Sequence, residues 1–403
     1  MHLTVRLLFE TVTALGTLAC LGFYGLSGLG IASFLNFRRR APIASGTSLP
    51  PVSILKPLKG IDPQIWEAFC SHCEQDYPAY QLIFGVSDPA DPAAALVRKL
   101  QERYPDRQIE LLVCPRDLGT NRKLSTLAQM LPAARHEIFL VNDSDIRVAP
   151  DYLRRVIAPL ADPSLGMVTC LYRGIASPAL GSRLEALGIS TDFTPGVLSA
   201  RLIEGGVHFG LGSTLAFRRS DLQAIGGFEA MLDYLADDYE LGHRIAALGK
   251  RVELSEVVVD TFLPAYTLRQ FVDHQLRWAR SVRGSRGWGY SGLVFTFGLP
   301  WALLTLLAAR ATAWAWWLLA ATIAARLAVG LTSALFVLND GQALRDLFLW
   351  PMRDLIAPVI WAIGLVGNRI SWRGDVFYLK DGRLERIAKE AVASPEVPRL
   401  SRP

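Results

Sequence analysis

Cysteine is scarce in this chain, with five in 403 residues, and only Cys70 and Cys73 stand close together, as a CxxC. A closed tetrahedral zinc site needs four ligands, and no second CxxC or HxxxH follows, so the pair excludes a zinc finger or ribbon. Cys70, His72 and Cys73 read instead as part of an ordinary helix after Pro63, with thiols packed inward and reduced, as in a cytoplasmic protein. A long basic run is also missing. The 42 Lys and Arg stand against 37 Asp and Glu, a net charge of +5, which is too thinly spread to mark a nucleic-acid-binding chain. An anionic lipid surface or a diphosphate suits that balance better.

Apolar residues are abundant, at 51%, with a mean hydropathy of +0.26. Residues 11–37 carry no charge, more than the ~20 a helix needs to cross the hydrocarbon core. Arg38, Arg39 and Arg40 follow at once, which places that end in the cytoplasm; a cleaved signal would have a shorter apolar core with its charge in front. Residues 38–286 regain regular charge and read as water-soluble. Beyond them, 287–309 and 311–339, the latter interrupted only by Arg326, are long enough to span. Residues 347–367, broken by Pro351, Arg353, Asp354 and Pro358, are expected to cross or to dip in and return, with Arg353 and Asp354 pairing beside a lipid groove or anchoring at the interface. The tail carries Arg369, Arg373, Lys380, Arg383, Arg386 and Lys389, so it is expected in the cytoplasm, which three full C-terminal spans would contradict. The expected organisation is an anchor over 1–40, a soluble domain over 41–286, membrane or re-entrant helices over 287–368 and a basic tail over 369–403.

Within the soluble domain, short apolar runs at 52–55, 82–86, 109–113 and 138–141 read as buried parallel strands. Amphipathic segments at 93–104 and 123–131 supply crossover helices, so the class is α/β, with a doubly wound sheet. Ligands in such a sheet sit at the carboxyl ends of the strands, and the acidic residues fall there. Asp88 follows the second run, and Asp143-Ser144-Asp145 follows the fourth. Two carboxylates two residues apart can share one hard divalent cation, Mg²⁺ or Mn²⁺, and such an ion suits a diphosphate leaving group; a turn or cap is the plainer reading of the triplet.

Asp237 and Asp238 precede a helical pattern at 241–248. They read either as N-terminal capping or as a general base for an attacking alcohol, with Asp238 chosen ahead of Asp237. A helix predicted over 268–282 holds His274, Arg277 and Trp278 and is basic along its length. Arg277 can pair with a departing diphosphate and Trp278 can stack on a sugar or line an acceptor groove, while the same helix can lie on a bilayer. The glycine-rich run 205–213 is a close backbone approach for a sugar or a plain strand turn, and its His208 either touches a sugar hydroxyl or is structural.

Together these residues resemble the lipid-directed glycosyltransferases of the GT-A, family 2 type, and more closely the ceramide glucosyltransferases of family 21 with their bacterial relatives, including the hopanoid-biosynthesis glycosyltransferases. The resemblance rests on VSILKPLKGID at 52–62, VSD at 86–88, GTNRK at 119–123, DSDIR at 143–147, ADDY at 236–239, HQLRW at 274–278 and ISWRG at 370–374. It implies a nucleotide pocket lined by Lys56, Pro57 and Asp62, with Asp88 on the uridine and Lys123 near the donor. It also implies Asp143 and Asp145 on the metal and diphosphate, Asp238 as base, and Arg277 with Trp278 closing the site. The implied reaction is inverting, from an α-linked UDP-sugar to a β-linked product, with no covalent enzyme intermediate. Ceramide with UDP-glucose is the first expected pair and a hopanoid polyol with UDP-N-acetylglucosamine the second. The protein is expected in a membrane, a bacterial inner membrane by its relatives, with the catalytic domain cytoplasmic. Two positions depart from the pattern: His274 stands where the family has Gln or Arg, and Asp145 where the animal ceramide enzymes have Gly.

Two other classes compete. A transporter would also carry several spans and intramembrane charges, but a soluble insert of roughly 250 residues with carboxylates at strand ends argues against it. An inactive lipid-binding scaffold on the same fold would have no need to keep the acidic motifs together with Arg277 and Trp278.

Overall fold

A computed structural model describes residues 2–40, 49–372 and 375–386; Arg373, Gly374 and Lys389 lie outside the described residues. The chain begins in one long helix, α1 (His2–Arg40). The four apolar runs then form the parallel half of a sheet: β1 (Val52–Leu58), α2 (Ile65–Cys73), β2 (Tyr80–Val86), α3 (Pro92–Arg103), β3 (Gln108–Val113), α4 (Arg122–Met130) and β4 (Ile138–Val141), in the order β3-β2-β1-β4, with β3, at the sheet edge, only partly buried rather than buried as expected. Local chemistry sets the helix starts. Asp91 accepts from the Ala93 amide at 2.9 Å ahead of Pro92, and Asn121 accepts from Leu124 at 3.2 Å, which fixes the first turn of α4 and with it Lys123. α2 carries the CxxC, whose thiols are free, while His72 bonds Ala68 and Asn142 through its two ring nitrogens.

The second half of the sheet is mixed. It comprises β5 (Ile146–Arg147), α5 (Tyr152–Ile157), β6 (Leu165–Ile175), α6 (Leu180–Gly188), α7 (Thr194–Ile203), β7 (Leu215–Arg218), α8 (Arg219–Ala224), α9 (Asp237–Ala247) and β8 (Arg251–Phe262). The full strand order is β3-β2-β1-β4-β7-β6-β8-β5, and β7 runs antiparallel to both β4 and β6. That reversal has a consequence for the site. Val141 pairs with Leu215, so the segment entering β7 lies beside the segment leaving β4, and the Asp143 amide donates to the Gly212 carbonyl at 3.3 Å. Two apolar cores fill the faces of the sheet, one containing Phe139, Phe217 and Phe228 and the other Phe69, Phe84 and Tyr152.

After the sheet come α10 (Leu268–Arg286), α11 (Trp288–Gly292), α12 (Gly298–Ala308), α13 (Ala313–Thr332), α14 (Gln342–Arg345) and α15 (Trp350–Leu365). A Thr267–Gln270 capping box starts α10. Thr4–Arg40, Ala313–Val337 and Leu347–Leu365 are long and apolar enough to cross a membrane, and Trp288–Thr296 with Gly298–Ala308 form a pair bent by 59°. α12 ascends beside α1: the Gly298 amide donates to Tyr24 at 3.1 Å and Thr305 bonds Thr17 at 2.9 Å. α13 then returns, so that Arg38 donates to the Val337 carbonyl at 3.1 Å. α15 behaves differently, lying along α10, where Arg353 meets Gln275 near one end and Arg283 donates to the Gly364 and Leu365 carbonyls near the other. The chain closes in a small sheet, β9 (Arg369–Trp372), β10 (Asp375–Lys380) and β11 (Arg383–Arg386), which docks on the loop before α9 through Leu384 to Asp233 and Leu235 to Gly382.

Candidate active site

One cavity of about 790 Å³ runs from the carboxyl ends of β1 and β4 to the apolar helices. Its floor holds Asp62, Asp143 and Asp145. Asp62 accepts from the Ser144 hydroxyl and Asp145 from Thr261, so the triplet is anchored at both its middle and its end. Burial, together with the charge of Asp143, pushes the Asp145 carboxyl up to about 6, against the pull of Thr261. Hard oxygen donors whose like charges oppose one another suit a divalent cation. Among the described residues no cluster of three or more His, Cys, Asp or Glu could hold a metal. Asp143 and Asp145 therefore fit the manner of binding in which one or two carboxylates share the ion with substrate phosphates.

Asp237 and Asp238, neighbours at the start of α9, play different parts. Asp237 is buried and pairs with Lys123 at 2.9 Å, while Lys123 also reaches Asp143 at 2.8 Å. Burial disfavours the Lys123 ammonium, yet Asp143 and Asp237 hold its pKa above the usual value. Asp238 faces the cavity with no cation paired to it among the ion pairs of the described residues. Its oxygens accept from the Gly212 and Tyr239 amides at 2.7 and 2.8 Å. Burial and the charge of Asp237 push its carboxyl up to about 6, against Lys123. A Cβ on Gly212 would stand 2.8 Å from Asp143 Oδ2 and 3.3 Å from Asp238 Oδ2, so the missing side chain is what lets the two carboxylates approach the same point.

The roof is α10. Arg277 and Trp278 line the cavity, as does His274. Trp278 packs on Phe193 and His274, with ring centroids 6.0 and 5.3 Å apart. Glu185, fully buried, accepts from or shares a proton with His274 Nδ1 at 3.0 Å, and Tyr266 stacks on the other side. Arg286 lies over the Phe209 and Tyr239 rings and joins the end of this helix to α9.

Beyond Trp278 the wall becomes apolar, with Phe23, Leu293, Phe297, Val329 and Ala357. Four charges stand at the junction. Arg326 pairs with Asp354 at 2.9 Å and with Asp192, and Arg353 lies 3.5 Å from Asp192. Sequence reasoning missed Glu185, Asp192 and Phe193. The two acids lie seven apart, two turns on the same face of a mostly apolar helical stretch, and that spacing is the signal that could have found them. A π turn between α6 and α7 places Asp192 and Phe193 at the cavity; such turns often occur at functional sites.

Several expected positions differ. Pro57 and Asp62 line the cavity but Lys56 does not; it is fully buried beneath, and its ammonium donates to the Asp143 carbonyl at 3.0 Å. Burial pushes its pKa down to about 7, against Asp145 and Asp143. Asp88 sits exposed outside the wall, which Ser87 completes. Its carboxylate accepts from the Ala90 amide at 2.8 Å, the local bond that aspartate favours in a turn. Arg353 and Asp354 do not pair with each other among the described ion pairs, because adjacent helical residues point about 100° apart. The end of the glycine run, residues 210–213, lines the cavity, and Gly210 also donates to the Asp238 carbonyl at 3.2 Å. His208 is exposed and contacts the Glu204 carbonyl.

The chain is similar to known proteins in sequence and fold. The sequence profile of glycosyl transferase family 21 matches residues 22–385. Ceramide glucosyltransferase 1 of Caenorhabditis elegans is 23% identical over 91% of this chain and 79% of its own length. An N-acetylglucosaminyltransferase of Rhizobium leguminosarum bv. viciae is 23% identical over 68% of this chain and 67% of its own. Among solved structures, the mannosyltransferase PcManGT of Pyrobaculum calidifontis, in complex with GDP-Man and Mn²⁺, has a TM-score of 0.51 at 20% identity and covers 89% of this chain and 96% of its own, which shows the GT-A fold. With a profile match over most of its length, the chain belongs to glycosyl transferase family 21 and is a hexosyltransferase.

Proposed function

We propose that the chain moves a hexose from a UDP-sugar to the primary hydroxyl of a membrane lipid in one inverting displacement, with UDP-glucose and ceramide as the pair. The observation that carries this reading is the continuity of the cavity: carboxylates at one end, residues of the apolar helices at the other, and Trp278 between. A soluble acceptor has no use for the apolar half.

In this reading the nucleotide lies between β1 and α4, near Pro57, Asp62 and Lys123. Asp143 and Asp145 would hold Mg²⁺ or Mn²⁺, which when bound supplies positive charge to the leaving diphosphate. The lipid hydroxyl attacks the anomeric carbon while the bond from that carbon to the phosphate oxygen breaks. Asp238 takes the hydroxyl proton, a task for which a carboxylate without a cation partner is better suited than Asp237, whose charge Lys123 already meets. Arg277 meets the charge that grows on the departing UDP. Trp278 packs at the junction of sugar and lipid. Lys56 supports the Asp143 backbone from below.

The Rhizobium relative, an N-acetylglucosaminyltransferase, favours UDP-N-acetylglucosamine as the donor in a second reading, whose acceptor is the hopanoid polyol that the sequence resemblance implies. For the membrane, α1, the bent α11–α12 unit and α13 are the crossings, α15 lies at the interface along α10, and the catalytic domain and tail share the cytoplasmic face.

The test uses membranes containing the full chain. UDP-glucose and Mg²⁺ or Mn²⁺ are expected to yield UDP only when ceramide is supplied, with the glycolipid identified by mass spectrometry of extracts. Chelation of the divalent ion should stop release, and its return restore it. UDP-N-acetylglucosamine with a hopanoid polyol as the productive pair would select the second reading, and no lipid-dependent release from either donor would end both.

A further inference from the structure

Arg353 is the one member of the four-charge cluster whose contacts leave a donor without a partner. Arg326 is saturated: it meets both oxygens of Asp354 at 3.1 and 2.9 Å, Asp192, and the Thr191 carbonyl at 2.9 Å. Arg353 has only edge contacts, Nη2 to Gln275 at 3.4 Å and to Asp192 at 3.5 Å. Its Nε is buried with no hydrogen-bond partner, although its side chain is only 10% exposed. The guanidinium lies over Gly188, where a Cβ would meet Nε at 2.7 Å and Nη2 at 2.8 Å. A side chain there would displace it from the cavity wall. Nε itself is enclosed against Gly188, so it is the Nη edge of this cavity-lining guanidinium, held only by those long contacts, that is left to a ligand; donors of a buried charged group left unmade are costly to a fold.

We propose that Arg353, oriented by Asp192 and Gln275, is a specificity-determining residue that binds an uncharged oxygen on the acceptor lipid, one close to the hydroxyl that receives the sugar. The inference rests on the lipid-acceptor reading above. Three observations set the chemistry. Arg353 stands at the change from polar to apolar wall, one turn before Ala357 on the same helix. Gln275 lies on α10 three residues before Trp278, so an oxygen held there is near the roof of the transfer site. The two arginines are balanced by Asp192 and Asp354, which leaves no surplus positive charge for a phosphate. An amide carbonyl or a second hydroxyl is the matching group.

The experiment compares ceramide with an uncharged analogue in which a hydrocarbon link replaces the amide and its carbonyl, in wild type, Arg353→Gln and Arg353→Lys. Wild type is expected to prefer ceramide by at least about tenfold in kcat/KM, the size of one hydrogen bond to a charged donor. Arg353→Gln should bring that ratio close to one through the acceptor KM while the UDP-glucose KM stays put, and Arg353→Lys should keep part of it. An unchanged ratio in Arg353→Gln, or a change confined to the donor KM, overturns the proposal. Retention of the same lipids by native mass spectrometry reads the contact without turnover, so it stands even if no transfer occurs and the lipid-acceptor reading of the activity fails. Loss of ceramide retention in Arg353→Gln, with UDP binding intact, supports the proposal; equal retention, or preferential retention of an anionic phospholipid by wild type, overturns it. If Arg353→Gln does not fold, Arg353→Lys and the wild-type preference for the carbonyl carry the test, and a wild type indifferent to the carbonyl overturns it.

Discussion

Asp237 and Asp238 are adjacent, yet among the described ion pairs Lys123 pairs directly with only the first. The second keeps a lone-pair-rich carboxylate at the cavity, fixed by two amide donors. Asp238→Asn removes the proton acceptor and can keep only one of those bonds through its amide oxygen, because the two amides meet different carboxylate oxygens. Transfer is expected to fall by about 10²- to 10⁴-fold, the usual worth of a positioned base, with UDP-sugar binding by calorimetry unchanged. Near-wild-type turnover would remove Asp238 from the role. The pH profile follows from the same group. Its folded carboxyl is raised to about 6, so the active, ionised form of the free enzyme is lost as pH falls through that value, and kcat/KM should decline on the acid side with a midpoint near 6. Stability has the opposite sign: a carboxyl raised by folding is most favourable to the fold when protonated, and that contribution is lost as pH rises through about 6. Asp238→Asn lacks this titration, so its Tm should gain on that of wild type as pH rises from about 5 to about 7, and a constant difference between the two would contradict this account.

At the level of elements, α9 owes its place to two glycines. Gly242 is buried in the helix, and a Cβ on it would collide with the backbone of Phe209 and Gly210. Gly210 in turn abuts the Asp238 carbonyl. Alanine in an ordinary helix would gain ~1 kcal/mol over glycine, but overpacking against immobile backbone costs ~1–3 kcal/mol or more, so the clash wins. Gly242→Ala is expected to lower the unfolding midpoint and to reduce turnover by shifting Asp238 relative to Asp143; full activity with unchanged stability would show that the loop yields. The sequence made the first half of the fold readable because its parallel strands, three of them buried along nearly their whole length, are nearly continuous apolar runs. It did not announce the antiparallel β7 or the purpose of the glycine run, since both depend on contacts between segments some 70 residues apart, Val141 with Leu215 among them. Lys56 shows the same limit: a lysine after a strand reads as a ligand contact, and only packing reveals that it supports a carbonyl from below.

Across the whole molecule, the carboxylates were legible because strand ends are where such sheets bind, whereas the acceptor end was not, being assembled from α1, α6, α7, α13 and α15. The course of α15 was equally hidden. Its composition permits a crossing, but both of its ends are held by the catalytic side: Arg183 bonds Asp346 just before it, and Arg280 and Arg283 bond the carbonyls of Arg369 and Gly367 just after it. In the proposed topology α1, α12 and α13 make the passage, with the turn after α12 on the far side and the small C-terminal sheet on the near side; from that sheet Arg386 pairs with Asp117. Three crossings with α15 at the interface reconcile three apolar regions after the domain with a basic tail on the domain's own face. Labelling single cysteines in intact cells tests this parity. In a Cys70→Ser background, since the other four native thiols are buried, Ala311→Cys should react with an impermeant maleimide from outside. Asp381→Cys should react only after the membrane is opened. Labelling of both from outside would mean that α15 crosses, and the contacts between the C-terminal sheet and the loop before α9 could not then exist in the membrane.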